Sequence, residues 1–516
     1  MLKKLDVVVV MAAVALAAGC GGTDEVPTAP GPTTEVSPTA PPVTTLGDQI
    51  AVSEIAVLQG VKATLVKDGE VVAAPNAPII AGRPAYVRVF VKALGRTRPT
   101  LAGELRVKRA GKDDLVLRDS GKTVAPELDE ELLEQTMNFT IAAEDMTADA
   151  AFSVKVGVSL EGADTVVFPA DGSALSFGAK SGSQKLRVKL VPVAYEAVEG
   201  SSITPDLSDL TSMRDTLYKL YPVASVEMTV REPLKWTTVI EAKGKGWSDL
   251  LAGIMQARRD DKAERDVYYV GVFTPKPTMD QFCDKGGCIL GLAPLAEERD
   301  VGMRAAIVLG YKSRSTANTM PHELAHAMGR GHAPCGSPAG VDEDFPYSGG
   351  RIGVWGYDVV TKKLLNPGNR YRDMMTYCSP EWISDYTYRA LYERMATLVA
   401  QQAALDADPN KTGFGGSAGS QLPSETVQSF RVASDGAVRE GPTLEVLPGA
   451  DKGEHIAVSY EGALGKVFAT ANGRVRRLSE TGDTIVLAPQ APIGATRARL
   501  AGMGVTDLRS RILNPR

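Results

Sequence analysis

The stretch His322-Glu323-Leu324-Ala325-His326-Ala327-Met328-Gly329-Arg330-Gly331-His332 holds three of the four histidines in the chain. His322 and His326 are four residues apart, so a helix projects both imidazoles from one face, where they can share a cation. Glu323 follows the first of them, placed to reach a water on that cation. Gly329 ends the helix, because glycine accepts the left-handed backbone that turns a chain sharply. That turn swings His332 back as a third ligand. Three neutral nitrogens plus one open position form the layout of a catalytic Zn2+ site, since a structural site closes all four positions. Such an ion lowers the pKa of water to roughly 7, and Glu323 then serves as general base when the water attacks a carbonyl. Thr319 and Pro321 predict the start of the helix, where a missing N–H loses nothing.

At every fixed position this stretch resembles the extended zinc-binding motif of the metzincin clan of metalloendopeptidases, H-E-x-x-H-x-x-G-x-x-H. The clan also has a methionine-bearing turn below the metal. The segment Arg372-Asp373-Met374-Met375-Thr376-Tyr377-Cys378 is similar to it, with Met375 and Tyr377 at the Met-x-Tyr spacing. The resemblance implies that Met375 packs beneath the zinc, and that Tyr377 is a switchable ligand or donates to the developing oxyanion. It implies a zinc-dependent endopeptidase with His322, His326 and His332 as ligands and Glu323 as base. It also implies a protein or peptide substrate bound extended, paired with an edge strand just before the zinc helix. Ala333, after the third histidine, fits none of the patterns that separate the metzincin families, so the resemblance stops at the clan and covers roughly residues 185–405. Two other functions share the motif: an envelope binding or adhesion protein with an inactive metzincin domain, and a zinc amidase acting on cell wall. The intact Glu323 argues against loss of activity.

The leader is equally readable. Lys3 and Lys4 precede an apolar run from Val7 to Ala18, too short to span a bilayer but suited to a signal-peptide core. It closes in Leu16-Ala17-Ala18-Gly19-Cys20, which resembles the lipobox of bacterial lipoproteins. That resemblance implies a signal peptide over residues 1–19, lipid on Cys20, and a lipid-anchored protein of the bacterial cell envelope, at the outer membrane or cell surface. Residues 20–46 are rich in Pro and Thr and read as a disordered tether. With Cys20 assigned to lipid, four of the five cysteines remain and allow three pairings. Cys283 and Cys288 flank a short Gly-rich loop and predict a local bridge. Cys335 and Cys378 both flank the metal in the metzincin arrangement, so the resemblance makes a Cys335–Cys378 bridge sterically sensible.

A chain of 516 residues with 44% apolar and 23% charged residues has room for about three globular domains. Its net charge of −5 and lack of a basic tract point away from nucleic acid. Period-two alternation, as in Tyr86–Lys92 and Phe152–Leu160, predicts an immunoglobulin-like β-sandwich over 47–182. From 184 to 406, strands alternate with helices, among them Asp206–Leu220, Trp247–Arg259 and Tyr388–Leu405. A Gly/Ser-rich linker at 407–424 leads to a second β domain at 425–516, in which His455 reads as a surface residue. The expected fold class is therefore multidomain: an α+β metzincin-like catalytic domain flanked by two all-β sandwich-like domains. The partners expected are a protein substrate and, through the lipid, a membrane; nothing in the sequence sets the oligomeric state.

Overall fold

The structure is a computed structural model and describes residues 49–406 and 424–509, apart from 97, 126, 162–164, 183–184, 284–286, 312–313 and 369. The signal peptide 1–19, Cys20, the tether 20–46 and nearly all of the linker 407–424 lie outside the described residues.

The alternating segments of the N-terminal region build two antiparallel five-stranded sheets. In the first, Ile50–Leu58 lies between Lys62–Lys67 and Ala85–Ala93. In the second, Thr100–Lys108 lies between Leu115–Thr123 and Ala151–Gly157. Their apolar residues are continuous with those around the histidine helix, so the two regions share one core. Polar bonds stitch the seam. The fully buried Arg83 guanidinium donates to the carbonyls of Tyr221 and Val223, both at 2.8 Å. Trp382 Nε1 and Tyr388 Oη donate to the Gly60 and Gln59 carbonyls.

The central sheet runs in the order Ser225–Val230, Lys185–Tyr195, Val267–Phe273, Ala305–Leu309, Gly291–Leu292, with Leu234–Trp236 also paired to Lys185–Tyr195. Its first four strands are parallel, and every residue of Val267–Phe273 and Ala305–Leu309 is buried. Helices cover both faces, which is why these strands read as unbroken apolar runs. Val270, Val272 and Val308 face Leu217 and Leu324, whereas Tyr269, Phe273 and Ile307 face Trp247 and Ile254 of the helix Trp247–Asp260.

The strand just before the histidine helix, Ala305–Leu309, is interior. The edge is Gly291–Leu292, antiparallel and only two residues long, too brief to give a periodic signal. The histidine helix itself begins at Arg314, so Pro321 lies inside it rather than at its start. A proline there leaves the Ala317 carbonyl without a helical donor. Burial of Met320, Leu324, Ala325 and Met328 in the shared core outweighs that loss.

The C-terminal region is one antiparallel seven-stranded sheet. Its order is Val438–Val446, Glu425–Val432, Thr484–Pro489, Val467–Arg477, His455–Glu461, Arg497–Leu500, Gly504–Asp507. Phe430, Val458, Tyr460 and Val486 fill its own core. Val427, Leu444, Leu478 and Leu487 instead join the core of the central sheet. Arg476, almost fully buried, bonds Asp300 across this junction at 2.6 Å, and Asp451 of its own region at 3.1 Å. The hairpin between Val467–Arg477 and Thr484–Pro489 has its tip, Leu478–Asp483, directed at the histidines.

Candidate metal centre

The histidine helix ends as the glycine predicts. Gly329 has φ +86°, its N–H donates to the His326 carbonyl, and the Arg330 N–H donates to the Ala325 carbonyl. These two bonds form the paired closure that a left-handed residue after a helix allows. The chain then folds back, and His332 is held by its N–H to the Gly340 carbonyl and by its own carbonyl to Asp342 N–H. Asp342 also accepts from Arg330 and Tyr386, which pins this loop.

Each imidazole is oriented by its far nitrogen. His322 Nδ1 lies 2.7 Å from the Met374 carbonyl, His326 Nδ1 2.6 Å from that of Arg330, and His332 Nδ1 2.5 Å from that of Ala339. A carbonyl only accepts, so each Nδ1 carries the proton and each neutral ring offers a bare Nε2 lone pair. Those Nε2 atoms converge: His326 to His322 is 3.0 Å, and His326 to His332 is 3.1 Å. Lone pairs that close repel unless a cation sits among them.

The fourth group is Glu480, from the tip of the C-terminal hairpin. Its Oε1 is 3.0 Å from His332 Nε2, 3.6 Å from His322 Nε2 and 3.8 Å from His326 Nε2. Together the four residues form a group able to hold a metal ion. Zinc bonds of 2.0–2.2 Å in a tetrahedron place neighbouring ligand atoms about 3.3 Å apart. The donor set therefore fits zinc. The open fourth position expected from the sequence is corrected: a carboxylate faces it.

Electrostatics within the protein groups agree. Burial disfavours charge on His322, yet hydrogen bonding to Glu480 outweighs it and pushes the imidazole up to about 9. The pocket thus calls for positive charge at this point, as a proton or a metal. Burial and the two neighbouring rings hold His326 well below its usual value, so it stays neutral. Burial would raise the Glu480 carboxyl, but its bonds to His322, His332 and Tyr377 hold it well below the usual carboxylate range.

Glu323 lies beside the histidines, 2% exposed, with Oε2 accepting from Ser479 Oγ at 3.1 Å. Burial and then the charge of Glu480 push its carboxyl up to about 8. Gly291 of the edge strand makes room for it. A Cβ there would stand 2.4 Å from Glu323 Cγ and 2.6 Å from Oε1.

The methionine turn runs beneath. Met375 is 1% exposed, and its carbonyl accepts from Ala333 N–H, directly after the third histidine. Asp373, fully buried, shapes the turn by accepting from Met375 N–H at 2.8 Å and from Ser384 N–H at 2.9 Å. Tyr377 is about half exposed, and its hydroxyl donates to Glu480 Oε2. Burial and the Glu480 charge both raise its pKa. Disulfides join Cys335 to Cys378 and Cys283 to Cys288. The first clamps the third-histidine loop to the methionine turn, where Tyr377 N–H also donates to the Cys335 carbonyl. His455 lies on a strand of the C-terminal sheet, outside this group.

Sequence reasoning missed Glu480, Ser479, Asp373 and Gly291. Only Asp373, inside the quoted methionine turn, carried a nearby signal. Glu480 sits in Ser479-Glu480-Thr481-Gly482-Asp483, which reads as a plain hairpin turn.

Comparison with known proteins bears on this geometry. A family model described as Peptidase M66 matches residues 302–420, a span holding the histidine helix and the methionine turn. No curated protein sequence matches the chain. Among solved structures, a cycloisomaltooligosaccharide glucanotransferase from Paenibacillus sp. aligns over 88% of this chain and 72% of its own. Its identity is 9% and its TM-score 0.15, too slight a likeness to bear on fold or function. The family match and the four-residue metal-ligand group together point to a metallopeptidase.

Proposed function

We propose that the chain is a zinc-dependent endopeptidase of the metzincin type. His322, His326 and His332 hold the ion, and the α+β region 184–406 acts as the catalytic domain. The observation that carries this reading is the convergence of three Nδ1-anchored imidazoles, with His326 Nε2 3.0 Å from that of His322 and 3.1 Å from that of His332, beside the buried carboxylate of Glu323. When bound, the zinc ion supplies Lewis acidity towards water and the scissile carbonyl. Glu323 takes the proton of the attacking water and returns it to the departing amine. Tyr377, once its hydroxyl leaves Glu480, donates to the carbonyl oxygen as that oxygen gains charge. Met374, next to Met375 in the methionine turn, orients the ring of His322 through its carbonyl, and Met375 packs beneath the ion. The edge segment beyond Leu292, once free of the C-terminal hairpin that pairs with it, offers backbone groups to an extended peptide. The sequence of residues 1–46 supports a lipid-anchored envelope location through Cys20.

Cleavage of an unfolded protein tests the reading, run with and without a chelator in wild type, Glu480→Ala and the Glu480→Ala/Glu323→Ala pair. Chelator and loss of Glu323 should each abolish turnover. Cleavage indifferent to both contradicts it. One observation favours a second reading, a binding protein with a structural zinc: Glu480 completes four protein ligands, as closed structural sites do. In that case Glu480→Ala cleaves nothing.

A further inference from the structure

The tip of the C-terminal hairpin engages every working group of the metal centre. Glu480 Oε1 faces the three imidazole nitrogens, its Oε2 accepts from Tyr377, and Ser479 Oγ donates to Glu323. The same segment lies along the continuation of the edge strand. Ser479 N–H donates to the Ala293 carbonyl at 2.9 Å, Leu295 N–H to the Arg477 carbonyl at 2.9 Å, and Leu478 bridges Pro294 in antiparallel register. Ala293 N–H is capped by Ser479 Oγ at 3.1 Å.

We infer that Arg477–Glu480 is an internal inhibitor: it fills the peptide-binding edge as a substrate strand would, and Glu480 is the metal's fourth ligand, so the chain as folded is latent. This rests on the metallopeptidase reading above. Three facts make it more than a close approach. The tip uses backbone pairing, the recognition mode of extended peptides at a sheet edge. It places a carboxylate, a good zinc ligand, at the one position that attack requires to be free. It also ties the hydroxyl and the carboxylate that the reaction needs, leaving neither directed at a substrate. The base of the hairpin is fixed to the central sheet by Arg476 and Asp300, so the tip is presented by a docked sheet rather than a loose tail. Activation then means withdrawing or cutting residues 478–483, not unfolding the C-terminal sheet.

The test is acetohydroxamate binding, read from the visible spectrum of the full chain loaded with cobalt(II), in wild type, Glu480→Ala and Glu480→Gln. The hydroxamate needs the position that Glu480 holds. Both variants should bind it at least about tenfold tighter than wild type, because the ligand no longer competes with the tip. Glu480→Gln keeps the tip's shape and separates loss of the ligand from loss of the fold. Equal affinities in all three cobalt-loaded proteins overturn the inference alone. Failure of all three to take up cobalt overturns it together with the metallopeptidase reading. Tighter hydroxamate binding by variants that cleave nothing upholds the occluding tip and removes only the peptidase reading.

Discussion

Replacing Arg476 by Met should loosen the C-terminal sheet where it docks on the central one. The Arg476 side chain is 2% exposed and that of Asp300 is 0% exposed, with Nε to Oδ2 at 2.6 Å; Glu297 and Asp451 approach at 3.4 and 3.1 Å. Removing the cation leaves Asp300 buried and charged among two further carboxylates. Breaking one side of such a buried pair costs about 3–5 kcal/mol. At about 1.4 kcal/mol per tenfold, that is a rise of roughly 10²- to 4 × 10³-fold in local opening. Hydrogen exchange read by mass spectrometry on Val467–Arg477 and Thr484–Pro489 measures it directly. Lys185→Met is the comparison, since Lys185 and Glu227 are 52% and 42% exposed; such a pair should shift exchange by less than about threefold. If Arg476→Met also changes exchange by less than threefold, the sheet is not anchored through Asp300, and the argument for a firmly presented hairpin falls with it.

Three further outcomes follow from the same geometry. Gly291→Ala, whose Cβ would stand 2.4 Å from Glu323 Cγ, should displace the carboxylate and lower cleavage in the Glu480→Ala background, with metal content unchanged by elemental analysis. Replacing Cys335 and Cys378 by Ala opens a loop of sequence separation 43 and should cost about 4 kcal/mol in urea unfolding, if restriction of the unfolded chain dominates. Acid should weaken the docked sheet in a defined window. Burial raises the Asp451 carboxyl, but bonds from Arg476 and the Gly453 N–H outweigh this and hold it below the usual value. A depressed folded pKa gives stability that is present above the unfolded value near 4 and lost as pH falls through the folded one. The difference in melting temperature between wild type and Asp451→Asn should therefore be constant from about pH 5 to 7 and shrink below about pH 4; a difference already gone at pH 5 contradicts the assignment.

What the sequence revealed and what it hid divide along contact range. The i, i+4 histidines, the glycine that reverses the chain and the third histidine act within eleven residues, so local spacing alone carries their geometry. The helix Trp247–Asp260 was legible for the same reason: Leu250, Leu251, Ile254 and Met255 recur at helical period. The helix start was misread because Pro321 is an ordinary first-turn signal, and only tertiary burial of Met320 and its neighbours keeps it inside a helix. The edge strand was invisible because two residues cannot display a period. Glu480 was invisible because its partners are far away in sequence, His332 by 148 residues and Tyr377 by 103, and a turn such as Ser479–Asp483 looks the same whether it meets solvent or a metal centre.

The central claim is that three imidazoles, each fixed by a backbone carbonyl, gather around one metal ion. Metal content after exhaustive dialysis tests it most directly. Wild type and Glu323→Ala should each retain about one zinc per chain, and His322→Ala/His326→Ala should retain almost none. A correctly folded wild-type chain with no bound transition metal, or a double variant that keeps its full complement, would contradict it.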